Sequence, residues 1–294
     1  MGMNRLIAHG FATILLAAAP WPASAQQLPA GAIPAPSLSY ADHADLVVRS
    51  PLVIDTMIRS ATRIKGAEAA DVAPGAMRFY VEADVLALVR GDAAIPARVG
   101  WVVDVPAPGG RAPKLKKRRV LAFARAVAGT PGQVQLVAPD AQRDWTPAAD
   151  ALVRRIAAEL VAPDAPPVVT GVGNAFHVPG SLPGESETQI FLQTQGGRPA
   201  ALSILRRPGE APRWSVALSE IIDSSAAAPA PDTLLWYRLA CALPAELPAR
   251  ATDQLAPADA DAARADYAVV IAGLGPCRAG AAAPGNPGAP AGSW

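Results

Sequence analysis

The chain contains only two cysteines, three histidines and four lysines in 294 residues. Each scarcity removes a class of chemistry. Zinc sites draw mainly on His and Cys, and His9 lies in an N-terminal leader, so His43 and His177 are the imidazoles left to a processed chain. If the cysteines are paired, any metal would rest mainly on carboxylates, and no metal or cofactor is expected. There is no His-Glu-x-x-His, no Gly-x-x-x-x-Gly-Lys of a phosphate loop and no Ser-x-x-Lys. Gly171-Val172-Gly173 places Phe176 where a dinucleotide loop needs its third glycine, and reads as a turn. Gly184-Glu185-Ser186-Glu187-Thr188 lacks the closing glycine of a nucleophile elbow. Aromatics are only 5% against 51% hydrophobic residues, so the core is built from small side chains. The formal net charge of +1 gives no global attraction to nucleic acid, and none is expected as a partner.

No apolar run beyond the N-terminus is long enough to cross a bilayer, which takes about 20 residues. The N-terminal run is shorter. It follows Arg5, is interrupted by His9 and Gly10, and ends at Pro20-Trp21-Pro22. Ala23-Ser24-Ala25 then offers the small-x-small pattern before Gln26. Residues 1–25 therefore read as a secretory signal peptide, which implies a periplasmic or secreted protein with no transmembrane helix after cleavage. No cysteine follows the cleavage site, so a lipid anchor is not expected. The Ala-, Pro- and Arg-rich, Lys-poor composition points to a GC-rich bacterial genome.

Charge is unevenly placed. Lys114, Lys116, Lys117, Arg118 and Arg119 form a cluster, and residues 105–139 hold seven basic side chains and no acid. One account is a solvated hairpin or edge strand, where Lys on an exposed edge discourages strand-to-strand association. The functional alternative is a patch for an anionic envelope surface or for an acidic envelope protein. Cys241 and Cys277 do not form a Cys-x-x-Cys pair. In an oxidising compartment they read as one disulfide, with two free structural thiols as the alternative.

The pattern along the chain predicts an α+β protein. Residues 26–37 form a Pro/Ala/Gly-rich flexible spacer. Residues 38–144 open with a helix capped by Ser39, beside which His43 reads as solvated. Strands then fall over 52–65, 78–90, 98–105, 119–127 and 133–137. In the second of these, Phe79, Val81 and Ala83 alternate with Tyr80, Glu82 and Asp84. Five strands joined by Gly/Pro turns predict a small antiparallel β-barrel-like, OB-like module. Residues 145–278 form a mixed β-hairpin and helix module. Its first helix has Thr146 as cap, Pro147 at the first position and a stripe of Leu152, Val153, Ile156 and Leu160. Strands follow over 168–172, 188–194, 200–206 and 214–222. A C-terminal helix pair, 234–243 capped by Asp232 and 257–274, is tied by the two cysteines. Residues 279–294, rich in Gly, Ala and Pro, read as a disordered tail.

One segment concentrates polar groups in an Ala-dominated chain. Residues 173–189 read as a long loop carrying His177, Ser181, Ser186, Glu185 and Glu187. As a hydrolase site it would use His177 as base, Ser181 or Ser186 as nucleophile, and Glu185 or Glu187 to orient the ring. The plainer account is a Pro/Gly-ordered connection whose side chains satisfy loop backbone groups.

The stretch 172–223, the helix Thr233-Leu234-Leu235-Trp236-Tyr237-Arg238-Leu239-Ala240-Cys241 and the ending Leu274-Gly275-Pro276-Cys277 resemble uncharacterised secreted proteins of GC-rich alphaproteobacteria over most of the processed chain. The resemblance implies no activity and carries no catalytic residue. The reading from sequence is an envelope protein acting as a non-catalytic binding or interaction module. Its alternatives are a hydrolase built around His177 and a structural subunit docking through residues 114–119.

Overall fold

In the computed structural model, the alternation over Phe79–Ala83 becomes β2 of a curled sheet, with Phe79, Val81 and Ala83 buried and Tyr80 and Glu82 outward. The structure describes residues 39–92, 94–219 and 227–278. The expected signal peptide, spacer and tail lie outside the described residues.

β1 (Leu52–Arg63) is the centre of this first sheet. It pairs antiparallel with β2 (Ala76–Arg90) on one side and β4 (Arg119–Ala126) on the other. β3 (Arg98–Pro106) extends β2, while β5 (Val134–Leu136) and β6 (Gln142–Asp144) both pair with β4, giving the order β3-β2-β1-β4-β5. Register shifts in the β1–β2 ladder fall at Val53/Ile54, Asp55/Thr56 and Ile58/Ser60. Such bulges bend a strand and increase its twist, and the sheet curls into an antiparallel half-barrel around Phe79, Val81, Trp101, Val103, Val120 and Ala122. The curl brings β3 to the segment around β5. Gly100 N–H donates to Gly132 O at 2.7 Å, and Asp104 N–H to Pro139 O at 2.8 Å. The bridge between Gly100 and Gln133 is parallel.

α1 (Tyr40–Arg49) starts at a capping box in which Ser39 and Asp42 satisfy each other's backbone N–H groups. α2 (Pro147–Val161) has the expected Thr146 cap and Pro147, and buries Val153 and Ile156. His43 is buried, contrary to expectation, and its Nδ1 lies 3.0 Å from Ser39 O. The reason is that α1 packs along α2 rather than standing free.

A second sheet has the order β10-β9-β8-β7, formed by β7 (Val169–Pro179), β8 (Ser186–Thr194), β9 (Ala201–Arg206) and β10 (Arg213–Ala217). One face, with Val172, Ala175, Ile190, Leu202 and Ile204, joins the core. α4 (Pro257–Leu274) lies against it through Ala263, Asp266, Tyr267 and Val270. One hydrophobic cluster runs from α1 through both sheets to α4.

Several expectations are corrected. Residues 173–189 are not a long loop: β7 and β8 pair from Val169/Thr194 to Pro179/Ser186, and only Gly180–Glu185 turns. Strand propensity in Phe176, Val178, Thr188 and Ile190 outweighs the polar groups between them. α3 spans Leu234–Ala240, shorter than expected, and its cap is Thr233, whose side chain accepts from Trp236 N–H, not Asp232. The last strand ends at Ala217; of its expected span, residues 220–222 lie outside the described residues.

Among the described residues the protein is thus mixed α+β, with four α-helices and a curled antiparallel half-barrel sheet. Cys241 and Cys277 form a disulfide with Cα atoms 5.0 Å apart, joining the end of α3 to the residues after α4. Among the described residues no helix is long and apolar enough to cross a membrane.

Candidate functional site

Two polar constellations stand out, one under α4 and one on the seam of the half-barrel. The first contains His177. Strand register puts His177 opposite Thr188, on the face covered by α4. Its Nδ1 lies 2.8 Å from Thr188 Oγ1 and 3.9 Å from Asp266 Oδ2. Thr188 also bonds Asp266 Oδ2, and Arg206 Nε donates to Asp266 Oδ1 at 2.5 Å. A carboxylate can only accept, so the Thr188 hydroxyl donates to Asp266 and accepts from His177 Nδ1–H. The imidazole Nδ1 is therefore oriented as a donor, and among the described residues no hydrogen bond reaches Nε2. Thr188 and Asp266 have no solvent exposure, so the hydroxyl beside the imidazole is out of a substrate's reach.

The other expected site residues lie elsewhere. Ser181 and Glu185 belong to the hairpin turn, where Glu185 Oε2 accepts from Ser181 Oγ at 3.5 Å and from Leu182 N–H at 3.4 Å. Glu187 alternates to the opposite face of β8 and accepts from Gln189 Nε2 at 3.0 Å and Ser203 Oγ at 3.4 Å. Ser186 shares the face of Thr188 but sits two pairs further along, opposite Pro179 and Arg206. The expected Ser–His–Glu grouping is replaced by Thr188 and Asp266. Asp266 was missed because it comes from a helix 89 positions along the chain (266 − 177), and strand parity was the one local signal that could have selected Thr188.

The basic cluster divides in two. Leu115 is buried and anchors the segment, while Lys114, Lys116 and Lys117 are exposed. Arg118 pairs with Asp144. Arg119 pairs with buried Asp55 and lies over the Trp145 ring. The edge-strand account is corrected, because β4, which Arg119 begins, pairs with β1 on one side and β5 and β6 on the other.

The second constellation lines a groove of about 640 Å³ along the seam between β3 and β5. Arg78, Tyr80, Val102 and Asp104 form one bank, and Arg125, Thr130, Gln133 and Gln135 the other. Gln133 Nε2 donates to Tyr80 Oη across the groove at 2.9 Å. Tyr80 Oη crowds Gly100 so closely that a Cβ there would lie 2.4 Å away. Arg78 donates to Asp104 at 2.8 and 2.9 Å and to Asp71 at 2.7 Å. These bonds, from Asp104 first, raise the Arg78 pKa, and the bond from Arg78 holds Asp71 below the usual carboxylate range. Arg125 instead donates through Nε and Nη2 to the neutral Gln135 Oε1, at 3.1 and 2.8 Å. Among the described residues it has no carboxylate partner. The sequence signal for this bank was the seven basic residues without an acid over 105–139, but it had drawn attention to its lysines.

Among the described residues, no group of three or more His, Cys, Asp or Glu side chains is placed to hold a metal ion. No protein-family model matches the chain, and no curated protein matches it either.

Proposed function

We propose that this is an exported envelope protein that acts by binding, with the seam groove as its ligand site. The observation that carries the reading is the groove itself. It is a concave surface of about 640 Å³ in which tyrosine, glutamine, threonine and arginine side chains converge beside exposed Val102 and Val127. Concave sites with a few convergent polar groups are the usual form of ligand pockets. Strand order β3-β2-β1-β4-β5 with a parallel bridge between β3 and the entry to β5 supports an OB-like module, a fold that binds oligomeric ligands on one sheet face. The bond from Trp236 Nε1 to Leu274 O at 2.8 Å and the disulfide support a closing helix pair.

Export, to the periplasm or beyond the cell, is supported by the leader sequence and the disulfide. N-terminal sequencing of the protein from the periplasm or medium is expected to begin at Gln26; an intact Met1 in the cytoplasm would sink this part.

The hydrolase reading draws on the oriented His177, but the buried Thr188 leaves it without an accessible hydroxyl partner. Docking on an anionic surface would fall to Lys114, Lys116 and Lys117, since Arg118 and Arg119 are paired.

The test is a thermal-shift screen of saccharides, peptides and small metabolites against the wild type and Tyr80→Ala, Arg125→Gln and Gln133→Ala. Ligands that stabilise the wild type and fail with the variants support the groove. Ligands unaffected by all three substitutions would place the site elsewhere.

A further inference from the structure

We infer that the ligand of the seam groove is an acidic saccharide, a short chain carrying hexuronate units, with a sugar carboxylate on Arg125. This rests on the binding reading above and adds the class of ligand.

The backbone limits what can enter. Gly100 and Asp104 both direct their N–H groups toward the β5 side, and parity places the N–H and C=O of Val102 on that side too. An exposed strand edge would ordinarily invite a peptide to add as a further strand. Here the two links to Gly132 and Pro139 close the sheet at both ends. The free edge between them is four residue steps, about 13 Å at roughly 3.3 Å per residue. A continuing peptide cannot thread through that opening. A ligand must lie over the outer face and be held by side chains.

Those side chains suit hydroxyl groups. Gln133 uses one amide N–H on Tyr80 and keeps its carbonyl oxygen and second N–H. Gln135 uses its carbonyl on Arg125 and keeps its NH₂ group. Thr130 adds a hydroxyl to the lining. Donors and acceptors therefore alternate over a short span, beside the exposed apolar faces of Val102 and Val127. Sugar rings present the same mixture of hydroxyl edges and C–H faces.

Charge selects among saccharides. Asp104 and Asp71 together outweigh Arg78, so that bank carries an excess negative charge. Across the groove Arg125 is the cation without a carboxylate partner among the described residues, and an acidic group would be drawn to the Arg125 bank alone. The Arg125 guanidinium is already oriented by Gln135. Gln135 occupies the Nε–Nη2 edge, so a carboxylate would meet the remaining Nη1–Nη2 edge with charge-assisted hydrogen bonds, which are stronger than those to neutral groups.

The experiment is isothermal titration calorimetry of the purified protein with trimers of galacturonate, guluronate and mannuronate, and with galactose and mannose trimers as uncharged counterparts. Binding of at least one uronate trimer is expected, with the neutral trimers at least about tenfold weaker. Arg125→Gln should remove that preference, and Gln133→Ala should weaken every saccharide. The uronate affinity should fall as salt rises, because one ion pair is exposed to solvent. Equal binding of charged and neutral trimers, unchanged in Arg125→Gln, would overturn the acidic class while leaving the groove in place. Failure of every trimer, with a thermal-shift ligand of another class still dependent on Tyr80 and Gln133, would overturn the saccharide and keep the groove. Failure of every trimer with no groove-dependent ligand would overturn both.

Discussion

Arg119 meets Asp55 through two parallel hydrogen bonds, Nε to Oδ1 at 2.9 Å and Nη2 to Oδ2 at 2.6 Å, and the Asp55 side chain is shut off from solvent. The guanidinium lies 3.7 Å from the centre of the Trp145 ring. An arginine that looks in sequence like one member of a solvated basic run is thus the counter-ion of a buried carboxylate. Removing one partner of a buried pair leaves an uncompensated charge. Arg119→Met should lower the thermal midpoint clearly, and adding Asp55→Asn should restore part of the loss. Lys114→Gln, Lys116→Gln and Lys117→Gln should each change stability by less than about 0.5 kcal/mol. Calorimetric melting checks both statements. A neutral Arg119→Met or a severe Lys116→Gln would reverse the division of the cluster.

The disulfide closes a loop of sequence separation 36. Chain-entropy arithmetic for a loop of this size gives about 3–4 kcal/mol of stabilisation. Cys241→Ser with Cys277→Ser should lose about that much unfolding free energy, read as a lower denaturant midpoint, and reducing agent should do the same to the wild type. Non-reducing peptide mapping should recover the linked pair. Equal stability with and without reductant would show that α3 and α4 hold together without the bridge.

Five strands of the half-barrel sheet were legible because each announces itself locally, whereas β6 (Gln142–Asp144), three polar residues held only by pairing with β4, was not. Phe79, Val81 and Ala83 alternate on β2, and Val99, Trp101 and Val103 on β3. α2 was legible from Thr146, Pro147 and its apolar stripe. Residues 173–189 were misread because a hairpin whose strands carry His, Asn, Gln and Glu has the composition of a loop; pairing with β9 and cover from α4 make it a sheet. Asp266 could not be placed beside His177 from sequence, since only tertiary packing joins them. The groove was hidden for the same reason. Arg125 and Gln135 sit opposite each other on paired strands, but Tyr80 meets Gln133 only after the sheet curls.

Asp266 binds Thr188 and Arg206 from a position with no exposure. Asp266→Ala would leave Arg206 without its carboxylate and Thr188 without its acceptor. Loss of one member of a buried pair costs about 3–5 kcal/mol; Arg206 is partly solvated, which favours the lower end. His177→Ala should be milder, because it deletes one hydrogen bond, worth about 1 kcal/mol. Urea unfolding of both variants tests the order. If His177→Ala proved the more damaging, the imidazole rather than the carboxylate would be the centre of the network.

Gly100 is crowded from the side, and its φ is not the issue. A Cβ at this position would stand 2.4 Å from Tyr80 Oη and 3.3 Å from Gln133 Nε2. Gly100→Ala should push the Tyr80 ring outward and break its bond to Gln133. Ligand binding in the groove should drop steeply while the β1–β4 ladder, remote from the contact, keeps its amide protection. Tyr80→Phe on the wild-type background separates the two causes, since it removes the hydroxyl that clashes as well as the one that binds. Gly100→Ala should be better tolerated in Tyr80→Phe than in the wild type, read as a smaller fall in melting midpoint. Equal effects in the two backgrounds would mean that another neighbour sets the need for glycine.

Tyr237 links α3 to α1, donating its hydroxyl to Asp45 Oδ1 at 3.0 Å. Burial first, then the Asp45 carboxylate, push its pKa from 10.0 up to about 12. The neutral phenol is therefore favoured in the folded protein. The unfolded chain loses this proton near pH 10, while the folded protein keeps it until about pH 12. The unfolded state then binds fewer protons, so stability falls as pH rises across that window. The contribution is fully present below pH 10, is lost progressively between 10 and 12, and does not change further above that. Tyr40 and Tyr267 are raised too, Tyr40 by burial and by Glu159, Tyr267 by burial, and they add to the same slope. Tyr237→Phe should lose about 1 kcal/mol at neutral pH and show a shallower, but not flat, decline above pH 10. Urea titrations at half-unit steps from pH 8 upward measure the slope. An unchanged slope in Tyr237→Phe would assign the alkaline loss to Tyr40 and Tyr267 and remove the α1–α3 contact from the account.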